Sequence, residues 1–321
     1  FSPAAGCCAV KSMSVWIILF YSVLVYSGQS FWQCQTLLEQ SVPVAGSGIV
    51  WTRLNCTGQG PSDGVFDPLP WNAGPLIFNM VSADLTLPGV GLRAAKANDS
   101  AQFGLQTIPD MAFSVNNAIA GINGGYFWRL DTKSFFDNVC VGKTRKDAEQ
   151  SPNSKFPNHG VGDSLLVVDG IVEACNCDLL GYPVPVALVL NQTQSNIAIL
   201  AQGGALPPYV ADAIGAGPNL VSSSSNGSFV DVPPRDYNTN IWEHSANTAV
   251  GLIIEDGVST TAVLVTADGR DGCAYTDPTC GLMAVPMAYF MKDFAKVTVA
   301  MEMDQGGSTT MWIAGQPYNG S

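Results

Sequence analysis

The sequence predicts an α+β fold, in which a mixed β-sheet core made of hairpins packs against a few helices. Short apolar runs separated by Asp-Gly and Gly-rich turns recur along the chain, as expected for β-hairpins. Residues 109–118 and 282–294 are the best helix candidates. The chain has 321 residues, of which 47% are hydrophobic, so it can bury a substantial core as one domain or as two closely packed halves.

Three pairs of strands are predicted from the segments that join them. Asp-Gly at 169–170 joins SLLVV to IVEA, and Asp-Gly at 256–257 joins AVGLII to STTAVLV. Asp-Gly supplies the positive φ angles of a type I′ turn, which matches the twist of a hairpin. PVALVL and NIAILA are predicted to form a third pair. The serine-rich segment SSSSNGS, residues 222–228, is predicted to be a flexible loop.

The two helix candidates have recognisable first turns. Thr107 precedes the helix predicted at Pro109–Ala118 and can act as its N-cap. The helix predicted at Leu282–Phe294 has Pro286 in its first turn, where proline is tolerated because its missing N–H would have no partner within the helix.

Three segments are distinguished along the chain. Residues 1–30 contain an apolar run with a core of about 12 residues, Val15–Tyr26. This core is shorter than the ~20 residues that span a bilayer, and small residues follow it, so a secretory signal segment is expected. A buried helix and an uncleaved anchor are the alternatives. Residues 31–75, rich in Gly, Pro and Ser, are predicted to be an irregular N-terminal extension, and residues 76–321 the main domain.

The composition argues against several partners. Only 12% of residues are charged and the net charge is −12, whereas nucleic acids and anionic membranes select basic patches. After removal of the signal segment no stable membrane insertion is expected, so the protein is predicted to be secreted or held at the cell surface. Cys175-Asn-Cys177 is too closely spaced for a zinc knuckle, and neither a metal nor a cofactor is predicted.

Cysteines and glycosylation sequons fit an exported protein. Seven of the nine cysteines follow the signal segment, an odd number, so one is expected to be free or bonded between molecules. Five Asn-x-Ser/Thr sequons are candidate glycosylation sites. They are Asn55, Asn98, Asn191, Asn226 and Asn319.

Two glycine turns are the strongest functional signal. In GINGGYFW and in MDQGGSTTM an apolar run ends in a polar residue, Asn123 or Asp304, which glycines follow. Glycine has no Cβ, so the backbone of such a turn can approach a ligand closely. Asn123 can bind a ligand or simply form its turn. The residues expected to contact the ligand are Asn123, Gly124, Gly125, Gly306, Gly307, Ser308 and Thr309.

Seven segments together resemble the phosphodiester glycosidase family, from about residue 81 to residue 312. They are SADLTLPGVGL, AGINGGYF, GDSLLVVDG, AGPNLV, HSANTAVGL, TADGRDG and DQGGSTTM, in the order found in the family. The resemblance implies the fold of that family and the hydrolysis of a sugar-1-phosphodiester of the N-acetylglucosamine type, so the expected partner is a carbohydrate or glycan phosphodiester. It also implies a short disulfide loop between Cys273 and Cys280.

Candidate catalytic residues follow two strands. If TTAVLVTA and KVTVAME are parallel neighbours, a right-handed crossover brings Asp268 and Asp304 together at one sheet edge, with Arg270 nearby. Glycoside hydrolysis commonly uses two carboxyl groups, and arginine matches two phosphate oxygens. The alternatives are that Asp268 only forms a strand-end turn and that Asp304 only caps its own turn. His244 is a further acid or base candidate, or else a surface histidine.

The sequence departs from the family pattern at three positions. Asn247 stands where the family usually has arginine, Gln305 replaces a glycine, and Pro286 falls where glutamate is common. A neutral amide cannot replace a guanidinium against a phosphate charge unless Arg270, Arg235 or Arg129 substitutes in space. The second hypothesis is therefore a catalytically inactive glycan-binding or structural glycoprotein on the same fold.

Overall fold

The computed structural model describes most of the strands and both turns singled out above. The described residues are 31–43, 45–59, 72–96, 106–115, 117–125, 165–174, 186–190, 195–199, 210–232, 244–269, 280–316 and 319–320. Within these ranges the fold is mostly β, with three sheets and few helices. The expected sheet core with hairpins is confirmed there. The expectation of a mixed sheet is wrong for this part of the chain, because every strand pairing in it is antiparallel.

One large sheet of eight strands forms the centre of the fold. In spatial order its strands, numbered along the chain, are β1 (Trp32–Ser41), β2 (Ile49–Gln59), β3 (Asn72–Asp84), β13 (Val258–Ala267), β12 (Asn247–Glu255), β14 (Val299–Glu302), β10 (Asn219–Ser224) and β11 (Gly227–Val230).

Two smaller sheets accompany it. The five-stranded sheet has the order β6 (Ile171–Ala174), β5 (Leu166–Val168), β9 (Asp212–Ala216), β7 (Val186–Leu190) and β8 (Ser195–Ile199). The three-stranded sheet has the order β16 (Asn319–Gly320), β15 (Thr310–Ile313) and β4 (Ala120–Ile122).

The three predicted hairpins are confirmed. Asp169 and Gly170 have φ angles of 51° and 76°, and Asp256 and Gly257 have 50° and 79°, as a type I′ turn requires. Strands β7 and β8 also pair in register. The flexible loop predicted at 222–228 is wrong, because β10 and β11 pair through this segment from Ser222 to Ser228.

The two predicted helices are present in shorter form. Helix α1 spans Ile108–Ser114, and the backbone N–H of its Asp110 donates to the Thr107 side chain, which confirms the predicted N-cap. Helix α2 spans Ala284–Tyr289, with Pro286 in its first turn, and continues into a π-helical turn at Phe290–Phe294. In the described part of the chain, no helix is long and apolar enough to cross a membrane.

The prediction of an irregular extension at residues 31–75 is wrong. This segment contributes β1, β2 and the start of β3 to the large sheet. Cys34 and Cys56 lie opposite each other in β1 and β2 and form a disulfide. The Trp32 indole N–H donates to the Pro286 carbonyl at 3.1 Å, which anchors the first strand to α2. These strands therefore belong to the same core as the rest of the large sheet.

The large sheet buries both of its faces. On the first, here called the helix face, Ala249, Val265 and Ala300 pack with α2 and the π-helical turn. On the opposite, cover face, Val250 and Met301 pack with the five-stranded sheet. Trp51, Val81 and Leu264, also on the cover face, pack with the three-stranded sheet. Alternate residues of each strand point to opposite faces, so the face of every following side chain can be read from its position.

Candidate active site

The candidate site lies at one edge of the large sheet, here called the site edge. Strands β13 and β14 end there, just before Asp268 and Asp304, and β12 begins there with Asn247. The predicted parallel neighbours are wrong, because β12 lies between β13 and β14. Both strands are antiparallel to β12, however, so they run in the same direction and still end at the same edge.

The two aspartate turns contact the same residue, Ala246. The backbone N–H of Gly306 donates to the Ala246 carbonyl at 2.8 Å. On the other side, a Cβ added to Gly269 would lie 2.1 Å from the Ala246 nitrogen. Real side chains do not approach a backbone so closely, so the turn after Asp268 can only pack here with glycine. The Asp268 turn and the Asp304 turn thus both pack against the chain just before β12.

The Asp304 turn is shaped by its own carboxylate and by glycine. Asp304 Oδ1 accepts a hydrogen bond from the Gln305 N–H at 2.9 Å, as expected for an aspartate that caps a turn. Gly306 has a φ angle of 68°, a conformation that favours glycine. A Cβ added to Gly306 or Gly307 would meet no atom within 4 Å. Among the described residues, nothing therefore fills the space beside these two glycines.

Asn123 joins the three-stranded sheet to the Asp304 turn. Its amide donates to the Asp304 carbonyl at 2.7 Å, and its Oδ1 accepts from the Thr248 hydroxyl at 2.7 Å and from the Thr310 N–H at 3.0 Å. Asp304 N–H in turn donates to the Gly124 carbonyl at 2.9 Å. The side chain of Asn123 is only 7% exposed. These contacts make Asn123 a positioning residue for the turn, and direct contact with a ligand stays a prediction.

Asp268 occupies a partly buried position with a shifted proton affinity. Its backbone N–H donates to the Ile77 carbonyl at 2.8 Å, which fixes the start of the turn against β3. Burial raises the pKa of the Asp268 carboxyl above its ordinary value, and the positive charge of Arg53 opposes this rise. The net direction of the shift favours the protonated form of Asp268 more than in a freely solvated aspartate.

The remaining candidates differ in their access to the site edge. His244 Nδ1 lies 3.1 Å from the Gly281 carbonyl oxygen, and His244 precedes Ala246 by two positions in the sequence. Ser308 lies in the 3₁₀ turn Gly306–Ser308 and is partly exposed. Thr309 is only 3% exposed, so its side chain faces the protein interior. The Ser245 hydroxyl donates to Gln305 Oε1 at 3.1 Å, so the glutamine that departs from the family pattern ties the turn to the chain before β12.

Glu302 is a feature of the site edge that the sequence analysis did not identify. It lies on the helix face of β14, opposite Ala249, and is 0% exposed. Neither carboxyl oxygen has a hydrogen-bond partner among the described residues. Burial, and to a lesser extent the negative charge of Asp304, raises the pKa of Glu302 well above its ordinary value. The alternation of side chains along β14 could have indicated its position, because Glu302 lies two residues after Ala300 and so shares its buried face.

Asn247 lies close to Glu302 on the same face. Its side-chain amide donates to the Leu282 carbonyl at 2.9 Å and to the Ser245 carbonyl at 3.2 Å. The Asn247 Oδ1 is buried without a hydrogen-bond partner. Because Ala249 pairs with Glu302, Asn247 is its diagonal neighbour, a separation that long side chains can bridge. An arginine at position 247 would instead place a positive charge beside Glu302 and lower the pKa of its carboxyl.

Several predicted residues lie outside the described part of the chain. They are Arg270, Cys273, Asn98 and Asn191, together with Arg129 and Arg235. Cys280 is disulfide-bonded, and its partner also lies outside the described residues, because Cys34 and Cys56 bond to each other. Its pairing with Cys273 stays a prediction.

Gly125 lies at the end of its described segment. The sequons at Asn55, Asn226 and Asn319 fall in β2, in the β10–β11 turn and in β16, and their glycosylation stays a prediction. Within the described ranges, no group of three or more His, Cys, Asp or Glu side chains could hold a metal ion.

Comparison with known proteins gives one family match and several similar structures. The sequence model of the family described as phosphodiester glycosidase matches residues 116–321. No curated protein matches the sequence. The catalytic domain of zebrafish N-acetylglucosamine-1-phosphodiester alpha-N-acetylglucosaminidase, auto-inhibited by its pro-peptide, shares 15% identity, with a TM-score of 0.51 over 89% of this chain and 79% of that one. This likeness shows a shared fold.

Two further solved structures are similar over most of the chain. A hypothetical protein from Synechocystis has 13% identity and a TM-score of 0.46, covering 89% of this chain and 64% of that one. A protein from Burkholderia pseudomallei has 14% identity and a TM-score of 0.47, covering 88% of this chain and 92% of that one.

Proposed function

Because the chain belongs to the phosphodiester glycosidase family, we propose that it hydrolyses a sugar-1-phosphodiester of the N-acetylglucosamine type. Water would add to the anomeric carbon of the sugar, and the bond from that carbon to the phosphate oxygen would break. The products are the free sugar and a phosphomonoester. We also propose that the protein acts in the secretory pathway or at the cell surface, as the sequons and the apolar segment within residues 1–30 suggest.

The observation that carries this proposal is that the Asp268 turn and the Asp304 turn both pack against Ala246. It supports the proposal because it brings the turns of two aspartates to one edge, and most glycoside hydrolases use two carboxyl groups. Asp268 suits the general acid, because burial raises its pKa and so favours the proton it would give to the leaving oxygen. Asp304, which accepts a backbone hydrogen bond, suits the carboxylate that stabilises the developing positive charge or activates water. His244 is a second candidate proton carrier at this edge.

Matched asparagine variants test these roles. Asp304→Asn and Asp268→Asn keep the size of the side chain and one acceptor oxygen, so both turns should survive. Each should lower the rate of sugar release from a methyl N-acetyl-α-glucosaminyl phosphodiester by about 10²–10⁴-fold. Asp256→Asn is the control, because Asp256 is an exposed residue of the β12–β13 turn, at the far end of the same strands. Full activity in both site variants, with folding intact, would remove the carboxylates from the mechanism.

A catalytically inactive glycan-binding protein is the second candidate function. It is favoured by Asn247, which is 0% exposed and whose amide is bound to backbone carbonyls, so position 247 offers no cation to a phosphate. On this alternative the native protein binds the sugar phosphodiester but releases no sugar, and Asp304→Asn leaves the affinity unchanged. Calorimetric titration with the same diester, run beside the hydrolysis assay, separates the two functions.

A further inference from the structure

A phosphodiester bound beside two aspartates needs a compensating cation. A second negative charge near a carboxylate is unfavourable, and the effect grows as water is excluded. Position 247 supplies no positive charge. Among the described cations, Arg93 is held by Asp212 at 2.8 Å and by Asp169, and Lys292 is paired with Asp293 at 2.5 Å. Arg53 is different, because no described residue forms a hydrogen bond or an ion pair with its side chain.

Arg53 belongs to a row of polar residues that crosses the cover face of the large sheet. In β2 it pairs with Asn79, which pairs with Thr266, which pairs with Thr248. This polar row follows the apolar row of Trp51, Val81 and Leu264, which the three-stranded sheet covers. The row therefore lies one step nearer the site edge than the covered core. A run of polar side chains at this depth is the composition expected of a ligand site rather than of a core.

The polar row is continuous with both candidate turns. Asp268 follows Thr266 by two residues and so begins on the same face, and the charge of Arg53 acts on it. At the other end the Thr248 hydroxyl donates to Asn123 Oδ1, and Asn123 holds the Asp304 turn. Arg53 thus lies in a row of side chains whose other members, Thr266 and Thr248, adjoin the two candidate turns.

The guanidinium of Arg53 also has an unused donor. Its Nε is buried, yet within the part of the chain that the structure describes no hydrogen-bond partner accepts its proton. A buried donor without an acceptor costs free energy, so an oxygen anion that enters the site would be bound more tightly for satisfying it. The planar fork of arginine presents Nε–H and an Nη–H in parallel, which matches two oxygens of one phosphate.

We propose that Arg53, on the cover face of the large sheet, binds the non-bridging oxygens of the substrate phosphodiester. This inference rests on the proposed function of the same site. Arg53 lies in β2, ahead of the family match at 116–321, so the N-terminal strands supply part of the substrate site. The proposed contact also defines the substrate class as phosphodiesters, because Arg53 would recognise the phosphate and not the sugar.

The test compares Arg53→Met with Lys296→Met, which removes the same charge. Lys296 is exposed and lies just before β14, at the opposite edge of the sheet. Inorganic phosphate binding is measured by calorimetry at fixed ionic strength. Hydrolysis is measured with the methyl phosphodiester and with the neutral 4-nitrophenyl N-acetyl-α-glucosaminide. Arg53→Met should weaken phosphate binding and lower kcat/KM for the diester by roughly 10- to 100-fold, the loss expected for charged hydrogen bonds.

Several outcomes separate this inference from the proposed function. The rate of hydrolysis of the neutral glycoside should change little in Arg53→Met. If Arg53 had a purely structural role, kcat/KM would fall equally for both substrates, and this result would overturn the inference. Arg53→Lys, which keeps the charge but not the fork, should fall between native and Arg53→Met, and it replaces Arg53→Met if that variant fails to fold. Native-like phosphate affinity in Arg53→Met, or no phosphate binding by the native protein, contradicts the inference. Arg53-dependent phosphate binding without sugar release leaves the inference standing and rejects the glycosidase.

Discussion

Replacing Glu302 by glutamine perturbs the electrostatics of the site edge without changing the size of the side chain. Glu302 is fully buried and neither of its oxygens has a hydrogen-bond partner. Burial, with the charge of Asp304, raises its pKa well above the ordinary value of 4.5. The folded protein should therefore hold this carboxyl in its neutral, protonated form. The glutamine of the Glu302→Gln variant is neutral at every pH, and its amide can donate toward the unpartnered Asn247 Oδ1.

The size of the expected effect on the free energy of unfolding follows from proton linkage. Above pH 4.5 the unfolded chain releases the Glu302 proton while the folded protein keeps it, so a rise in pH favours unfolding. The free energy of unfolding should fall by about 1.4 kcal/mol for each pH unit in the interval where only the folded carboxyl stays protonated. Below the unfolded value both states are protonated and this contribution is fully present. Glu302→Gln should lack this slope, so its advantage over the native protein should grow with pH.

The assay is urea unfolding of the native protein, of Glu302→Gln and of the control Glu255→Gln at a series of pH values from 4 to 8. Glu255 is exposed at the far end of β12, so its replacement should leave the pH dependence unchanged. The difference between native and Glu302→Gln should widen as the pH rises. Parallel curves for these two proteins would show that Glu302 is ionised in the folded state and would refute the reasoning.

Three further results are expected. Gly269→Ala should lower activity strongly and destabilise the fold, since the added Cβ would lie 2.1 Å from the Ala246 nitrogen, whereas Gly91→Ala, which meets no atom within 4 Å, should be silent in both assays. Asn123→Ala should cost about 2–4 kcal/mol in urea unfolding, because it leaves buried partners unsatisfied; a loss below about 1 kcal/mol would show that its bonds are dispensable. Arg53→Met should shift the alkaline limb of the pH–rate profile upward, since the lost positive charge had lowered the pKa of Asp268; an unshifted limb would exclude Asp268 as the acid.

Local signals predicted the hairpins and helix caps but not the first two strands. The Asp-Gly turns at 169–170 and 256–257 fix their own backbone angles, so four residues are enough to identify them. Strand β1 is exposed along most of its length and shows no alternating apolar pattern. Its place depends on pairing with β2 and on Trp32, whose partner Pro286 is 254 residues away. The serine-rich β10–β11 hairpin was missed for the same reason.

The candidate site was predicted in part. Asp268 and Asp304 could be expected at one edge because each follows an apolar strand, although β12 between them was not foreseen. Asn123 was singled out by its glycine turn, and the structure joins that turn to the Asp304 turn. Glu302 and Arg53 could not be assigned in this way. Their importance depends on which side chains share their face, and that is set by registers between strands distant in the sequence.

The bond that breaks can be identified with ¹⁸O. The native protein is incubated with methyl N-acetyl-α-glucosaminyl phosphodiester in H₂¹⁸O, and both products are analysed by mass spectrometry. A glycosidase transfers the water oxygen to the anomeric carbon, so ¹⁸O should appear in the free sugar and none in methyl phosphate. Label in the phosphate would show P–O cleavage and contradict the proposed glycosidase activity, and so would the release of no sugar at all.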